Sequence, residues 1–419
     1  MRRVLLASLA TALALQAQPS PQRFTLPNGL RVIHLEDHEH PVVRVRLHLG
    51  LEPGDTPPGR QGLPLLAMRM FLHSDAADLK AEAFDRLLED SGIQLRSSTE
   101  PGALEWRLAA RSRDQDRALS LLADRLLRTV FDPMVLETQR LACWRQVEQL
   151  DATPFQRLEA ALLQAPDARP TPISLGAITL EDLLAFRAKV FRPDRALLLI
   201  HGDVGLEQAK RLVLLSLGSW TAGDPPQPLE PSVPAPPGRA LGPVANPLRI
   251  PAPGAGLRVQ AVLPRPAGLA AEPTTLIALL ITGEPTLFPV SIVCRQDCLV
   301  ATLDAGPEAT PAQAWALLQG RLDALRLRGF SASDLEKARS AWAAARSLDS
   351  LDAEAQLDAA AAQVLGRGAT RDRMKALELD QLNAALRTWL GSGETRRGIS
   401  GVPAGPGDLA TAGSQRRLR

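Results

Sequence analysis

One spacing constrains this sequence more than any motif does: 199 residues. Phe131, Leu136, Glu137 and Arg140 recur at that distance as Phe330, Leu335, Glu336 and Arg339. The same offset carries Leu180, Leu183 and Ala185 onto Leu379, Leu382 and Ala384, and Ile200 and Gly202 onto Ile399 and Gly401. Leu, Ala and Arg are common here, so one match alone says little. An unbroken offset from residue 131 to residue 202 is the mark of an internal duplication. A chain of 419 residues has room for two copies of about 200 residues, each with its own core.

The joint between the copies is legible as well. Residues 222–238 hold seven prolines, Pro225, Pro226, Pro228, Pro231, Pro234, Pro236 and Pro237. Such a run cannot join a packed helix or sheet and reads as an extended spacer. Ahead of the first copy, Arg2 and Arg3 precede a mostly apolar run at 4–15, with Ala17 as a cleavage point. This is the pattern of a secretory leader. No later apolar stretch is long enough to span a bilayer. The expected division is a leader at 1–17, an N-terminal domain at 20–222, a linker at 223–239, a shortened C-terminal domain at 240–402 and a disordered tail at 403–419. The leader implies a periplasmic or secreted protein.

Each copy mixes strands and helices. Residues 31–33 and 42–49 alternate like the arms of a half-buried hairpin, with Asn28-Gly29 supplying a tight turn before the first. Residues 81–91 put Phe84, Leu87 and Leu88 on one helical face and stop at Gly92, a C-cap residue. Residues 114–129 repeat the helical pattern, Asp132-Pro133 opens another helix, and 196–200 form a closing apolar strand. This order predicts an α+β fold of two duplicated sandwich domains, each a mainly antiparallel sheet with helices packed on one face.

Composition removes several function classes. With 48 basic against 46 acidic residues, the net charge of +2 gives no reason to expect binding driven by phosphate contacts, so no nucleic-acid partner is expected. Tyrosine is absent, and no Ser/His/Asp set or phosphate loop can be located. Cys143 sits in a helical pattern as a small core residue. Cys294 and Cys298 are four apart, too far for a bridge along one regular strand. His34, His38 and His40 would share one face of a strand, where a surface metal site competes with a solvated, charge-rich hairpin; the latter is preferred. His73 and His201 stand alone.

The run Phe24-Thr25-Leu26-Pro27-Asn28-Gly29-Leu30-Arg31-Val32 resembles the opening strand of the insulinase/pitrilysin-type metallopeptidases, a family that includes the mitochondrial processing peptidases. Residues 41–50 resemble the family's second strand, and Gly62-Leu63 matches the start of its zinc helix. Gly92, Thr99 and Trp106, then Leu136-Glu137, Arg140 and Pro154, follow in the family's order. Membership implies H-x-x-E-H on one helix, with two His four apart binding zinc and the Glu activating water. Aligned on Gly62-Leu63, those five positions here read Leu65-Leu66-Ala67-Met68-Arg69. The third ligand, about 77 residues beyond the second His, falls on Gln146. Leu65, Met68, Arg69 and Gln146 thus occupy all four functional positions, and no zinc or other cofactor is expected.

The resemblance also implies what outlasts the zinc. In this family a substrate adds as a strand to a sheet edge, which needs backbone groups rather than particular side chains. The matching segment is Gln94, Leu95, Arg96, Ser97, Ser98 and Thr99. Some members work in pairs, one chain bearing zinc and the other an arginine–tyrosine pair. Here tyrosine is lacking, Arg295 is the sole candidate arginine, and residues 280–299 are too few for the family's helix and segment. The implied role is a non-catalytic partner of a zinc-bearing homologous subunit, handling extended peptides. Two other readings fit the same residues: a scaffold akin to the family-like core subunits of respiratory complexes, and a peptidase with a relocated metal.

Overall fold

The structure, a computed structural model, describes residues 21–402 apart from 53, 78, 101, 151–152, 164–169, 222–246, 253–255, 267, 283–288, 296–297, 306–308, 350–351, 365–370 and 392–394. The expected leader, the whole of the expected linker and the expected tail lie outside the described residues.

The first half builds one six-stranded sheet. Its strands are β1 (Gln22–Thr25), β2 (Arg31–Glu36), β3 (Val42–Gly50), β4 (Gln94–Glu100), β5 (Ala103–Arg111) and β6 (Ala196–Gly202), in spatial order β1-β2-β6-β3-β5-β4. Helices α1 (Leu63–His73), α2 (Ala81–Ser91), α3 (Gln115–Arg128), α4 (Pro133–Leu150), α5 (Pro154–Leu163), α6 (Pro172–Ala177), α7 (Leu180–Val190) and α8 (Leu206–Leu217) complete it. The tight turn at Asn28-Gly29, with Gly29 at φ 91°, joins β1 to β2. The expected hairpin of β2 and β3 does not form. The last strand, β6, inserts between them, parallel to β2 and antiparallel to β3. Sequence alternation shows which residues lie on a face but carries no information about which strand is the neighbour.

The second half repeats this plan with β7 (Leu248–Pro251), β8 (Leu257–Pro264), β9 (Val290–Arg295), β10 (Cys298–Ala305) and β11 (Arg396–Val402) in the order β7-β11-β8-β10-β9. Its helices are α9 (Ala271–Ile281), α10 (Pro311–Arg328), α11 (Ala332–Asp349), α12 (Ala353–Val364), α13 (Arg371–Ala376) and α14 (Leu379–Gly391). The offset of 199 holds to the residue: it carries the bounds of α4 onto those of α11, and those of α6 onto α13. Phe131 and Phe330 are both buried, in the two respective cores. Arg140 donates from Nη2 to the Ile178 carbonyl at 2.7 Å, and Arg339 donates from Nη2 to the Leu377 carbonyl, again 199 residues on. Gly202 and Gly401 both have positive φ, and a Cβ at either would lie 2.0–2.2 Å from a backbone oxygen. Among the described residues the second copy shows no counterpart of α2, and eight residues separate α9 from β9.

Each half packs its own helices on one sheet face, around Phe71, Trp106 and Leu198 in the first core and Leu299, Leu386 and Trp389 in the second. The opposite faces are covered too, by an exchange of helices that the sequence alone does not suggest. From α12 of the second half, Leu357, Ala360 and Ala361 pack on Ile33, Leu35, Leu197 and Leu199 of the first sheet. From α5 of the first half, Leu158, Leu162 and Leu163 pack on Val262, Cys298 and Val300 of the second. Strands covered on both faces explain why β6 is buried at every position.

Candidate functional site

Helix α1 carries the positions that the resemblance matches to the family's zinc helix. Gly62, at φ 96°, opens it in a conformation that a side chain rarely adopts, and Pro64 fits the first turn. The helix lies over the outer part of the first sheet. Phe71 meets the Trp106 ring edge-on at 5.4 Å, and Trp106 is the β5 partner of Ser97 in β4. Phe71 also touches Phe131 and Phe191, with ring centroids 5.0 and 4.3 Å away, which fixes the helix against its neighbours.

Of the four positions matched to the zinc machinery, two are packing groups, one is a cation and one is an exposed amide. Leu65 is half-buried against the first core, and Met68 is buried within it. Arg69 is half-buried and donates from Nε to Gln139 Oε1 of α4 at 2.9 Å. Gln146 is exposed. The residue that α4 actually presents to Arg69 is therefore Gln139, two turns before the one reached by counting along the chain. A helix repeats its face every seven residues or so, which makes the two positions equivalent in pattern and leaves the register to tertiary packing. Leu has no ligand atom and a guanidinium has no lone pair to give, so this set does not fit a tetrahedral zinc site. The field is cationic instead: partial desolvation and the charges of Arg69 and Arg125 hold the His73 imidazole below its usual range. Burial raises the neighbouring Cys143 thiol to about 11, so it is inert as a nucleophile.

Residues Gln94, Leu95, Arg96, Ser97, Ser98 and Thr99 all fall in β4, at the edge of the sheet. Every one pairs with β5 on one side. Gln94, Arg96 and Thr99 are exposed, while Leu95, Ser97 and Ser98 are half-buried. The helix α1 packs against this strand as well as against α4 and α7.

The histidine cluster comes apart, contrary to the expected shared face. His34 is buried in β2, with Nε2 2.8 Å from the Val204 carbonyl, and desolvation lowers its pKa. His38 lies beyond the strand's end, between Asp203 Oδ1 at 2.7 Å and Glu36 Oε1 at 2.8 Å, and those hydrogen bonds raise its pKa. His40 is exposed and groups instead with Asp37 and Glu39, their ligand atoms within 4.8 Å of one another. Cys294 and Cys298 do not share a strand either. They belong to the two arms of the β9–β10 hairpin, Cys294 opposite Leu299 and Cys298 opposite Arg295, and they are not bridged.

His201, uninformative in sequence, is buried where the halves meet, its Nε2 3.1 Å from Gln356 Oε1 of α12. Beside it, Arg46 of β3 is 2% exposed and pairs with Glu354 Oε2 at 2.6 Å and with Asp358. Arg44, Arg46 and His48 alternate along β3 as a solvent-facing row would, so nothing in the sequence marks them as an interface.

Comparison with known proteins gives the family and the fold. A family model described as insulinase (peptidase family M16) matches residues 31–172, and one described as the peptidase M16 inactive domain matches 177–253. Together they take in just over half of the chain. The chain belongs to the insulinase family. Among curated relatives, the non-peptidase homolog YmxG of Helicobacter pylori is 30% identical over 191 residues. That match spans 43% of this chain and 44% of the relative, less than half of either. Among solved structures, a peptidase M16 inactive domain from Pseudomonas fluorescens superimposes with a TM-score of 0.74 at 18% identity, over 92% of this chain and all of that one. The periplasmic protease PqqL of Escherichia coli gives 0.73 at 16% identity, over 92% of this chain and 45% of that one. These structures show the fold: two duplicated α+β halves of insulinase type. No helix among the described residues is long and apolar enough to cross a membrane.

Proposed function

We propose that this insulinase-family chain is a non-catalytic, periplasmic subunit that receives extended peptides along β4 and acts beside a zinc-bearing homologous subunit. The observation that carries the reading is the donor set on α1. Leu65 and Arg69 stand one helical turn apart, where the family needs two imidazoles, and buried Met68 stands where it needs a general base. The family's inactive-domain model and the relative named a non-peptidase support a chain without hydrolytic chemistry. The apolar leader at 4–15, and the likeness to a periplasmic protease, support export. The edge strand survives because pairing with a peptide uses backbone N–H and C=O groups that no side-chain replacement removes.

The purified mature chain should hold no stoichiometric zinc and cleave no unfolded peptide. It should form a stable complex with an H-x-x-E-H-bearing homologue from the same genome, mixed at micromolar concentration and followed by sedimentation velocity. One tightly held zinc per chain with chelator-sensitive peptidase activity would sink the non-catalytic reading. Absence of complex with every such homologue would sink the partnership.

A further inference from the structure

Arg69 is more than a lost ligand. Its Nε donates to Gln139 Oε1, which orients the guanidinium, and among the described residues its two terminal nitrogens have no acceptor. Among the described residues no carboxylate pairs with it. Its charge reaches two neighbours: after burial it is the next cause lowering the His73 pKa, and it partly opposes the burial that raises Cys143. Arg125 adds a second positive charge, buried over the Phe84 ring at 3.8 Å, and Asp85 of α2 is the acidic group that acts on both His73 and Arg125. A half-buried, oriented and unpaired arginine is costly to keep unless something anionic meets it.

Its place in the fold says what. Helix α1 lies over the β4–β5 border through the Phe71–Trp106 contact, and Trp106 is paired with Ser97 in the middle of β4. A strand added to β4 therefore runs beside the helix that carries Arg69. We infer that Arg69 is a carboxylate receptor, and that it binds a carboxylate of the peptide lying on β4, at the helix position where an active relative would hold metal. This rests on the peptide-binding reading above and adds its ligand chemistry. Two sources supply the group, the C-terminal end of the peptide or an acidic side chain.

The test measures binding of an end-labelled ten-residue Val/Thr peptide to the mature chain by fluorescence anisotropy. Three forms are compared: free acid, C-terminal amide, and an amide ending in Asp. The free acid or the Asp amide should bind about tenfold more tightly than the plain amide, as a charge-assisted bidentate contact requires; which of the two does so names the source. Arg69→Gln should abolish the difference between the three forms, and Arg69→Lys should restore part of it. Equal affinity for all three forms overturns the carboxylate receptor while leaving peptide binding intact. Failure of all three to bind at high micromolar concentration overturns both.

Discussion

Among single residues, Glu105 shows how a side chain can be set by its strand partner. It lies opposite His48 in the β3–β5 ladder, with His48 Nδ1 3.2 Å from its Oε1. Burial alone would raise this carboxyl, but hydrogen bonds from His48 and Arg107, with the Arg46 charge nearby, bring it down to about 2. A carboxyl lowered in the folded state contributes stability above its unfolded value near 4.5, and that stability is lost as the pH falls towards 2. The contribution is on the order of 3 kcal/mol. Glu105→Gln should therefore lower the unfolding free energy at pH 7, by an amount that shrinks as the pH falls from above 4.5 towards about 2, as read by urea titration across pH. A gap of constant size over that range would refute the assignment.

Elements test the exchange of helices. Gly398 of β11 lies under α5, and a Cβ there would come within 2.5 Å of Leu158 Cδ1 and 2.8 Å of Leu162 Cδ1. Arg396 of the same strand donates to the Leu162 carbonyl at 3.1 Å, satisfying one of the orphan carbonyls at the C-terminus of α5. Gly398→Ala should cost about 1–3 kcal/mol by overpacking. Combined with Leu158→Val it should cost less than the two single changes summed, since the smaller side chain makes room for the new methyl. Additive losses in denaturant melts would mean that α5 does not seat on β11.

Across the whole molecule, the two exchanged contacts differ in chemistry. Leu158, Leu162 and Leu163 meet an apolar face, whereas α12 brings Glu354, Gln356 and Asp358 to Arg46 and His201. The cation is 2% exposed and its carboxylates are 43% and 65% exposed, so the two sides of the pair are not equivalent. Arg46→Met leaves Glu354 and Asp358 to solvent and removes only one of several groups that lower Glu105, so it should change Tm less than removing both acids. Glu354→Gln with Asp358→Asn leaves the guanidinium buried without these partners and should cost about 1–3 kcal/mol, discounted for the exposure of the acids. Calorimetry with the reverse ranking would contradict the buried position of Arg46.

Much of this was written in the chain. A conserved register within one molecule fixed the duplication, because equivalent core faces demand apolar residues at equivalent points: Phe131 and Phe330, Leu183 and Leu382, Ile200 and Ile399 are all buried. That Leu65 and Arg69 offer no zinc-ligating atom was also legible, since a Leu or an Arg is a Leu or an Arg whatever its surroundings. Tertiary structure decided the rest. It placed β6 between β2 and β3, sent α5 and α12 across to the opposite sheets, and separated His34 from His38 and His40. It also turned Gln139 rather than Gln146 towards Arg69. Sequence pattern records which residues share a face, but what covers that face comes from segments a hundred or more residues away, and only packing chooses among them.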